Sequence, residues 1–458
     1  MAKDTSKKLT EGNPMRLILG FMIPVLIGML FQQFYSLVDT VIVGKALGVS
    51  ALAAVGSTGS ITFLTIGFCN GVASGFAIPV AQRFGAEDHK SLRRYVTNSA
   101  WLAIILSLVM TVFVSIYCRE ILILMQTPED ILDEAYAYLL VIFLGIPVTY
   151  LYNLTSGIIR SLGDSKTPVY FLLLASALNI VLDLVFILGM KTGVGGAAVA
   201  TVISQAVSGI LCLVFMIRRF PILKMEKGDW KLRKRESFVL LSMGLPMGLQ
   251  YSITGIGSVV LQASVNTLGS MAVAVQTASG RLINFFAVFY DAIGSTMATY
   301  GGQNVGAGKL DHLKAGLKAA LIVDMIYAVI AWILLYFFSD KFLLLFLNSN
   351  ETVIMQESRT YMLIVTAFFA LLALVNTFRF LIKGMGYSPF ALLAGIAEMI
   401  ARILVAFTLV PVMGIMAAAI AGPIAWLFAD AFLVPAYFWC CRHTEKKLGQ
   451  PYMTSQKS

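Results

Sequence analysis

The feature that most constrains this chain is a long segment without charge: no Asp, Glu, Lys or Arg occurs between Glu236 and Arg281. A transmembrane helix needs about 20 mostly apolar residues, so this segment is long enough for two spans. Of all 458 residues, 58% are hydrophobic and 13% are charged, about half of the charged share that is usual in soluble domains. Hydrocarbon admits only helices and closed barrels. The sequence therefore predicts an all-α polytopic membrane protein.

Apolar runs between charged or turn-forming residues predict twelve transmembrane helices. The basic residues are unequally divided between the two sides that these spans define: 27 of the 34 Lys and Arg lie on the side of both termini, and five lie on the other. The larger group includes Arg379 and Lys383, near the end of span ten; Arg281 and Arg402 are the two that lie well inside spans. The positive-inside rule predicts a multi-pass membrane protein with both termini cytoplasmic. The predicted cores are residues 16–43, 52–80, 95–117, 136–157, 168–189, 196–217, 238–263, 272–300, 315–338, 358–380, 388–409 and 414–439.

The two halves of the chain are related by a shift of 221 positions. Because each half holds an even number of spans, both insert in the same orientation, and a pseudo-twofold axis along the membrane normal should relate two six-helix bundles. This predicts an N-lobe (1–217), a basic cytoplasmic linker (218–237) on the lipid surface and a C-lobe (238–458) with a short cytoplasmic tail. The matched residues include Leu47, Gly48, Gln82, Gly85, Gly163 and Pro168, which meet Leu268, Gly269, Gln303, Gly306, Gly384 and Pro389.

Several polar residues of the first half have no polar counterpart in the second. Scaffold residues should recur at the shifted position, whereas functional residues of one lobe need not. Carboxylates inside spans are costly and usually face a bundle interior or a water-filled cavity. These unmatched polar residues of the first half indicate a site for a proton or for Na⁺. Na⁺ would be held by Asp39, Asn179, Asp183 and Thr201. The alternative is that each residue only forms hydrogen bonds between helices. The members are Asp39, Asn153, Asn179, Asp183 and Thr201, opposite Val260, Leu374, Ile400, Leu404 and Gly422.

A second group of intramembrane residues suggests a substrate cavity. Aromatic, methionine and amide groups suit flat organic cations through stacking and cation–π contact, although ordinary helix packing is the alternative for each. The candidates are Gln33, Tyr35, Met247, Gln250, Tyr251, Arg281 and Asp291. Glu398 and Arg402, four residues apart, are predicted to form an ion pair. Asp324 and Asp430 either face a cavity or pair with polar neighbours.

These segments resemble those of a known family. Residues 38–44 (VDTVIVG) and 51–56 (ALAAVG) resemble the first-span signature of the multidrug and toxic compound extrusion (MATE) family. Residues 160–168 (RSLGDSKTP), Asn179, Asp183 and 196–201 (GAAVAT) resemble its fourth-to-sixth-span region. The resemblance implies exchange of Na⁺ or H⁺ for organic, often cationic, drug-like compounds by a rocker-switch mechanism. It also implies a cation site at Asp39, Asn179, Asp183 and Thr201, with Asn153 nearby.

One departure from the family pattern affects the branch and the number of cation sites. One branch of the family, the NorM-like branch, also has acidic residues in spans seven and ten. Here span seven has no acid and span ten has Arg379 instead. This argues against a C-lobe cation site and favours a bacterial DinF-like transporter of the plasma membrane. A lipid-linked saccharide flippase is the alternative, ranked second because Arg281 and Arg402 are the basic residues found inside spans.

The remaining function classes are disfavoured. No nucleophile–base pair is evident inside a span, so an enzyme is not expected. The formal charge of +10 lies in loops and does not indicate nucleic-acid binding. We expect that the protein needs no cofactor. Its expected partners are membrane lipids and small organic compounds, and we expect it to function as a monomer.

Overall fold

The computed structural model describes residues 6–344, 347 and 351–449, so the end of the predicted C-terminal tail lies outside the described residues. These ranges form helices α1 (Pro14–Leu47), α2 (Val49–Ser57), α3 (Gly59–Gly85), α4 (His89–Ile116), α5 (Cys118–Leu124), α6 (Glu129–Leu144), α7 (Ile146–Ser161), α8 (Lys166–Asp183), α9 (Gly193–Arg219), α10 (Lys234–Asn266), α11 (Ser270–Gly306), α12 (Leu310–Leu343), α13 (Thr352–Ala367), α14 (Phe369–Gly384), α15 (Ser388–Thr408), α16 (Val410–Met413) and α17 (Ile415–Gly449).

Ten spans of the described chain are long and apolar enough to cross a membrane, and two bent helix pairs bring the number up to 12. The pair α6 and α7 bends by 44°, and the pair α13 and α14 bends by 47°. These pairs are the predicted fourth and tenth spans, which are equivalent in the tandem repeat. The predicted all-α fold of two six-helix bundles is therefore confirmed, with a matching kink in each half that hydropathy did not indicate.

Repeat-related backbone positions share unusual conformations. Gly48 and Gly269 end the loops before α2 and α11, with φ of 91° and 95°. Only glycine adopts this region readily, because a Cβ would clash with the backbone. The same residue type therefore recurs at both positions for the same reason, which supports the internal duplication in three dimensions.

The two lobes, α1–α9 and α10–α17, meet along crossed helices. α3 crosses α10 where glycines face each other, and a Cβ on Gly71 would lie 2.6 Å from the Met247 carbonyl oxygen. Small residues of this kind let membrane helices approach closely. The repeat-related contact is that of α1 with α11, as a twofold axis between the lobes requires.

One end of the bundle is closed by contacts between the lobes. We call it the basic end; Arg16, Arg83, Arg93, Arg160 and Lys309 lie there. Here Gly85 abuts the Gln303 carbonyl and Gly306 abuts the Gln82 carbonyl, so neither position has room for a Cβ. The Gln82 amide donates to the Gly384 carbonyl at 2.9 Å, and the Gln303 amide donates to the Ser161 carbonyl at 2.8 Å.

The segment before α1 crosses both lobes at the basic end. The Lys7 amide donates to the Leu162 carbonyl at 2.9 Å, in the N-lobe. Two residues later, the Leu9 amide donates to Gln303 Oε1 at 2.7 Å, in the C-lobe. The segment thus links the two lobes where they touch.

The linker between the lobes docks on α4. It forms two short 3₁₀ turns, Pro221–Leu223 and Lys227–Trp230. Arg93 Nε donates to Asp229 Oδ2 at 2.9 Å, and Thr97 Oγ1 donates to the Asp229 carbonyl at 2.6 Å. Burial favours neutral Asp229, but the hydrogen bonds from Arg93 and from the Glu226 amide lower the pKa of Asp229 below its usual value. The linker is therefore anchored to the N-lobe.

Arg379 and Lys383, counted with the basic residues of the cytoplasmic side, are instead buried inside the C-lobe. Both belong to α14, which extends to Gly384, and their exposed fractions are 6% and 0%. The glycine-rich turn after them resembles the start of a loop, but the helix continues and directs both side chains into the C-lobe. Their burial also removes the argument that Arg281 and Arg402 are the basic residues inside spans.

Candidate functional site

Two carboxylates from distant parts of the N-lobe meet inside the bundle. Asp39 lies on α1, and Asp183 is the last residue of α8. A π-helical segment, Leu184–Gly189, follows Asp183 directly, and such segments are frequent at functional sites. The two carboxyl groups are neighbours in the N-lobe and interact with each other. Two carboxylates this close repel each other unless a proton or a cation lies between them.

Asn179 and Thr201 complete the centre of this site. Asn179 lies one turn before Asp183 on α8, and its amide nitrogen is 3.5 Å from Thr201 Oγ1 on α9. Asn179 and Asp183 are almost fully buried, with exposed fractions of 2% and 0%. Four buried oxygens have no hydrogen-bond partner within the described residues: Asp39 Oδ1, Asn179 Oδ1 and both carboxylate oxygens of Asp183.

This set of oxygens is chemically suited to a proton or to a hard cation. Hard cations prefer carboxylate, amide and hydroxyl oxygens. Unpartnered buried oxygens are costly, so a native site of this kind calls for an ion, a proton or water. Asp39, Asn179, Asp183 and Thr201 are the residues that would hold the ion.

Asn153 lies apart from the other four predicted residues. Its amide nitrogen donates to Asn70 Oδ1 at 2.8 Å and to the Thr149 carbonyl at 2.8 Å. The Thr149 hydroxyl in turn donates to Gln205 Oε1 at 3.1 Å. Asn153 therefore belongs to a hydrogen-bonded layer next to the acids.

Sequence reasoning missed Tyr138 and Asn70. Tyr138 on α6 interacts electrostatically with Asp39 and Asp183, as does the predicted cavity residue Tyr35. The shift of 221 positions places Arg359 opposite Tyr138, so the comparison of the two halves contained a signal for this residue. Asn70 is equivalent to Asp291 under the same shift. Because both positions are polar, comparison of the two halves gave no reason to select Asn70.

The predicted cavity residues separate into three places. Gln33, Arg281 and Asp291 line a cavity of about 600 Å³ between the lobes, whose other walls include Phe34, Phe63 and Phe285. Tyr35 lines a smaller cavity next to Asn179. Met247 lies at the lobe interface beside Arg160 and Phe380.

Gln250 and Tyr251 contact the buried lysine of the C-lobe. Lys383 Nζ donates to Gln250 Oε1 at 2.7 Å and lies 5.6 Å from the centre of the Tyr251 ring. It is also 4.4 Å from the centre of the Phe380 ring. These residues therefore form the immediate surroundings of a buried cation.

The C-lobe also contains a buried network of charged side chains. Arg379 forms an ion pair with Glu398, whose other oxygen is 3.5 Å from Arg402. The predicted pair of Glu398 with Arg402 is thus present, with Arg379 as a second partner. Asp324 accepts a hydrogen bond of 2.6 Å from the Thr377 hydroxyl. The oxygens of Asp430 accept none within the described chain, but Arg379 is near enough to attract this carboxylate.

The fold and this buried polar site define a two-lobe membrane carrier. Two segments of the chain, residues 24–185 and 246–408, each match the family model described as MatE. The chain therefore belongs to the MatE family, and the double match confirms the tandem repeat. Members of this family are transporters, so the expectation of a transporter instead of an enzyme is confirmed.

Curated relatives and solved structures agree with this family. The chain is 32% identical to the probable multidrug resistance protein YoeA of Bacillus subtilis, over 72% of this chain and 73% of that one. It is 25% identical to an FAD transporter of Shewanella oneidensis, over 79% and 80%. An outward-facing multidrug resistance MATE family transporter shares the fold with a TM-score of 0.89 at 23% identity, covering 98% of this chain and 100% of that one.

Proposed function

We propose that this protein is a secondary active multidrug efflux antiporter, which exports organic, often cationic, compounds in exchange for Na⁺ or H⁺. The observation that carries the proposal is the pair of neighbouring carboxylates, Asp39 and Asp183, with buried oxygens that have no partner in the described protein. Its relatives include several named as multidrug resistance or export proteins. No resident cofactor is required for this activity.

The proposed mechanism uses the two lobes as rigid bodies. With the basic end on the cytoplasmic side, both termini are cytoplasmic and the closed end blocks the inward route. The coupling ion enters from outside and binds at Asp39 and Asp183, and the organic compound leaves the large cavity. Rocking of the lobes then exposes the ion to the cytoplasm. Coupling requires only that the ion and the compound prefer different states of the carrier.

The large cavity supports an organic cation as substrate. Its phenylalanine rings offer apolar faces, and Asp291 supplies a negative charge on the same surface. Arg281 lines the same cavity, so its wall holds one basic and one acidic side chain. The protein acts as a monomer in a lipid bilayer under this proposal.

The test is transport by purified protein in liposomes that contain a fluorescent organic cation. A Na⁺ gradient and a pH gradient are imposed separately, and the wild type is compared with Asp39→Asn and Asp183→Asn. We expect dye movement to follow one gradient and to be lost in both variants. Asp133→Asn, an exposed acid paired with Arg119, is the matched control and should transport normally. Dye movement that is independent of both gradients would contradict antiport.

A lipid-linked saccharide flippase is the second candidate. The observation in its favour is the set of buried cations Arg379, Lys383 and Arg402, which sequence reasoning had mostly placed elsewhere. Against it, these cations contact Glu398 and Gln250. Transport of an anionic lipid-linked sugar, without response to either ion gradient, would favour the flippase.

A further inference from the structure

A small polar cavity lies directly beside the candidate coupling site. It is enclosed by α1, α7, α8 and α9, and it has room for about two water molecules. Asn179 and Thr201 form one part of its wall. The rest is unusually rich in hydroxyl and amide groups for a membrane bundle, with Ser176, Ser204, Gln205 and Ser208.

Two hydroxyls in this wall have no partner. Ser204 and Ser208 are exposed by only 3% and 1%, and neither Oγ has a hydrogen-bond partner among the described residues. Other hydroxyls of the same wall are satisfied by their own helix: Ser176 donates to the Leu172 carbonyl at 2.9 Å, and Thr201 donates to the Ala197 carbonyl at 3.1 Å. Buried polar groups next to a cavity are normally satisfied by ordered water.

The hydroxyls continue along one face of α9. Thr201, Ser204, Ser208 and Cys212 are spaced by three, four and four residues, so they share one side of the helix. From Thr201 to Cys212 this face covers about 16 Å at the usual helical rise. It leads from the coupling site towards the basic end, where Thr155 lies beside Cys212.

The second lobe shows that packing does not require these polar groups. The shift of 221 positions places Gly422, Ala425, Ala429 and Leu433 of α17 opposite the four residues of α9. Ala425, Ala429 and Leu433 are fully buried. The equivalent face of α17 is thus packed without hydroxyl groups. Helix packing alone therefore does not explain the hydroxyl groups on α9.

Aromatic rings close this route at the basic end. The rings of Phe171 and Phe215 meet edge to face at 5.9 Å between centroids, and Phe215 meets Phe220 at 6.0 Å. Phe220 is fully buried. The polar face therefore ends against an apolar barrier of three rings.

We infer that the polar face of α9 is the exit path of the coupling ion. The path begins at Thr201, passes Ser204, Ser208 and Cys212, and is closed by Phe171, Phe215 and Phe220. Its ligand is water together with one proton or one Na⁺, which the water and the serine hydroxyls pass from the coupling site towards the basic end. This inference rests on the proposed coupling site at Asp39 and Asp183.

The experiment combines two measurements on purified protein. The first is the initial rate of ion-driven dye exchange in liposomes. The second is the increase in melting temperature that the coupling ion, Na⁺ or H⁺, causes in detergent. For the double variant Ser204→Ala/Ser208→Ala we expect a rate about tenfold lower, from two lost hydrogen-bond partners, and an unchanged ion-dependent stabilisation. The alanines at 425 and 429 indicate that this variant folds.

Matched controls separate the path from the coupling site. Ala425→Ser/Ala429→Ser makes the converse change in the C-lobe and should leave the rate unchanged. Asp183→Asn should remove both the rate and the stabilisation. Wild-type exchange by the double alanine variant, with exchange lost in Asp183→Asn, would overturn the path and keep the coupling site. Exchange that Asp183→Asn leaves intact would overturn both.

A variant of the barrier tests the path without any organic substrate. Phe215→Ala should permit passage of the coupling ion down its gradient, detected separately with pH-sensitive and Na⁺-sensitive dyes inside the liposomes. Adding Ser208→Leu to the same protein should fill the path and stop the leak. A leak that Ser208→Leu does not reduce would overturn the path. Loss of ion-dependent stabilisation in the double alanine variant would also overturn it, because the serines would then belong to the binding site.

Discussion

The two lobes share one fold and treat their buried polar groups in opposite ways. In the N-lobe, Asp39 and Asp183 approach each other, and their oxygens lack protein partners in the described residues. In the C-lobe, Glu398 lies between Arg379 and Arg402, and Lys383 is bonded to Gln250. A buried charge is tolerated when it is paired. The charges of the Glu398 network are thus paired within the protein, whereas Asp39 Oδ1 and both carboxylate oxygens of Asp183 have no partner among the described residues.

This difference indicates how a duplicated transporter divides its tasks. The scaffold residues recur in both halves because both lobes must pack in the same way. The polar residues diverge, as expected if one lobe alone binds the proposed coupling ion. Four predictions, in order of decreasing effect, test whether the lobes differ in this way.

The largest effect is expected from Glu398→Gln. The change removes the carboxylate that pairs with both Arg379 and Arg402, and breaking a buried pair from one side costs about 3–5 kcal/mol. The melting temperature of the detergent-solubilised protein should fall clearly. Glu134→Gln, an exposed glutamate on α6, is the control and should melt like the wild type. A stable Glu398→Gln protein would show that the C-lobe network is not structural.

The next effect concerns transport and compares one acid from each lobe. Asp183→Asn should lower ion-driven exchange by about a hundredfold, at the upper end of typical coupling free energies. Asp324→Asn should leave exchange unchanged, because the amide oxygen still accepts the hydrogen bond from Thr377. Both are measured in the same liposome assay. Equal losses in the two variants would remove the functional difference between the lobes.

A smaller effect is expected at a feature that the two lobes share, the glutamine hydrogen bonds that close the basic end. Gln303 makes two hydrogen bonds across the basic end, to the Leu9 amide and the Ser161 carbonyl, whereas its repeat partner Gln82 makes one, to the Gly384 carbonyl. Gln303→Leu should weaken the closed end by about 1–3 kcal/mol, and Gln82→Leu should weaken it less.

Pulsed electron paramagnetic resonance spectroscopy measures the closure of the basic end directly. Spin labels on cysteines that replace the exposed residues Lys90 and Asp311 report the distance across the basic end. The long-distance population should increase more in Gln303→Leu than in Gln82→Leu. The reverse order would mean that these hydrogen bonds do not hold the closed state.

The smallest effect concerns an ion pair found on one side only. Glu87 pairs with Lys8, while Gly308 occupies the equivalent position of the C-lobe. The hydrogen bond and the charge of Lys8 lower the pKa of Glu87. Its stabilising contribution is therefore present above the ordinary pKa of a glutamate and is lost as the pH falls through the lowered value.

Glu87→Gln should consequently lower the melting temperature slightly at neutral pH and not at all in acid. The effect is small because both side chains are exposed and water screens their attraction. A difference between the two proteins that persists in acid would contradict the ion-pair explanation.

Much of the fold was predictable because hydropathy acts along the chain. The predicted spans coincide with a helix or a bent pair, except that the span 52–80 begins in α2 and continues into α3. The shift of 221 positions relates the two lobes. The kinks at α6–α7 and α13–α14 were not predicted, since a bend depends on neighbouring helices. Arg379 and Lys383 were misplaced for a related reason: their charge suggested the cytoplasmic surface, whereas contacts with Glu398 and Gln250 hold them inside the C-lobe.

The candidate site was partly predictable. Comparison of the halves selected Asp39, Asn179, Asp183 and Thr201, which the structure brings together. The same comparison also selected Asn153, which bonds to Asn70 in a neighbouring layer. Sequence periodicity places a residue on a face of its own helix, but it does not state which other helix that face meets.

The sequence by itself determined the class of protein, the number of spans and the duplication, because these follow from apolar length, charge distribution and internal similarity. The tertiary structure alone decided which polar groups are satisfied. Asp183 and Glu398 are both buried acids in transmembrane helices, yet Glu398 has arginine partners and Asp183 has another acid. Pairing depends on contacts between helices far apart in the chain, and neither composition nor periodicity contains that information.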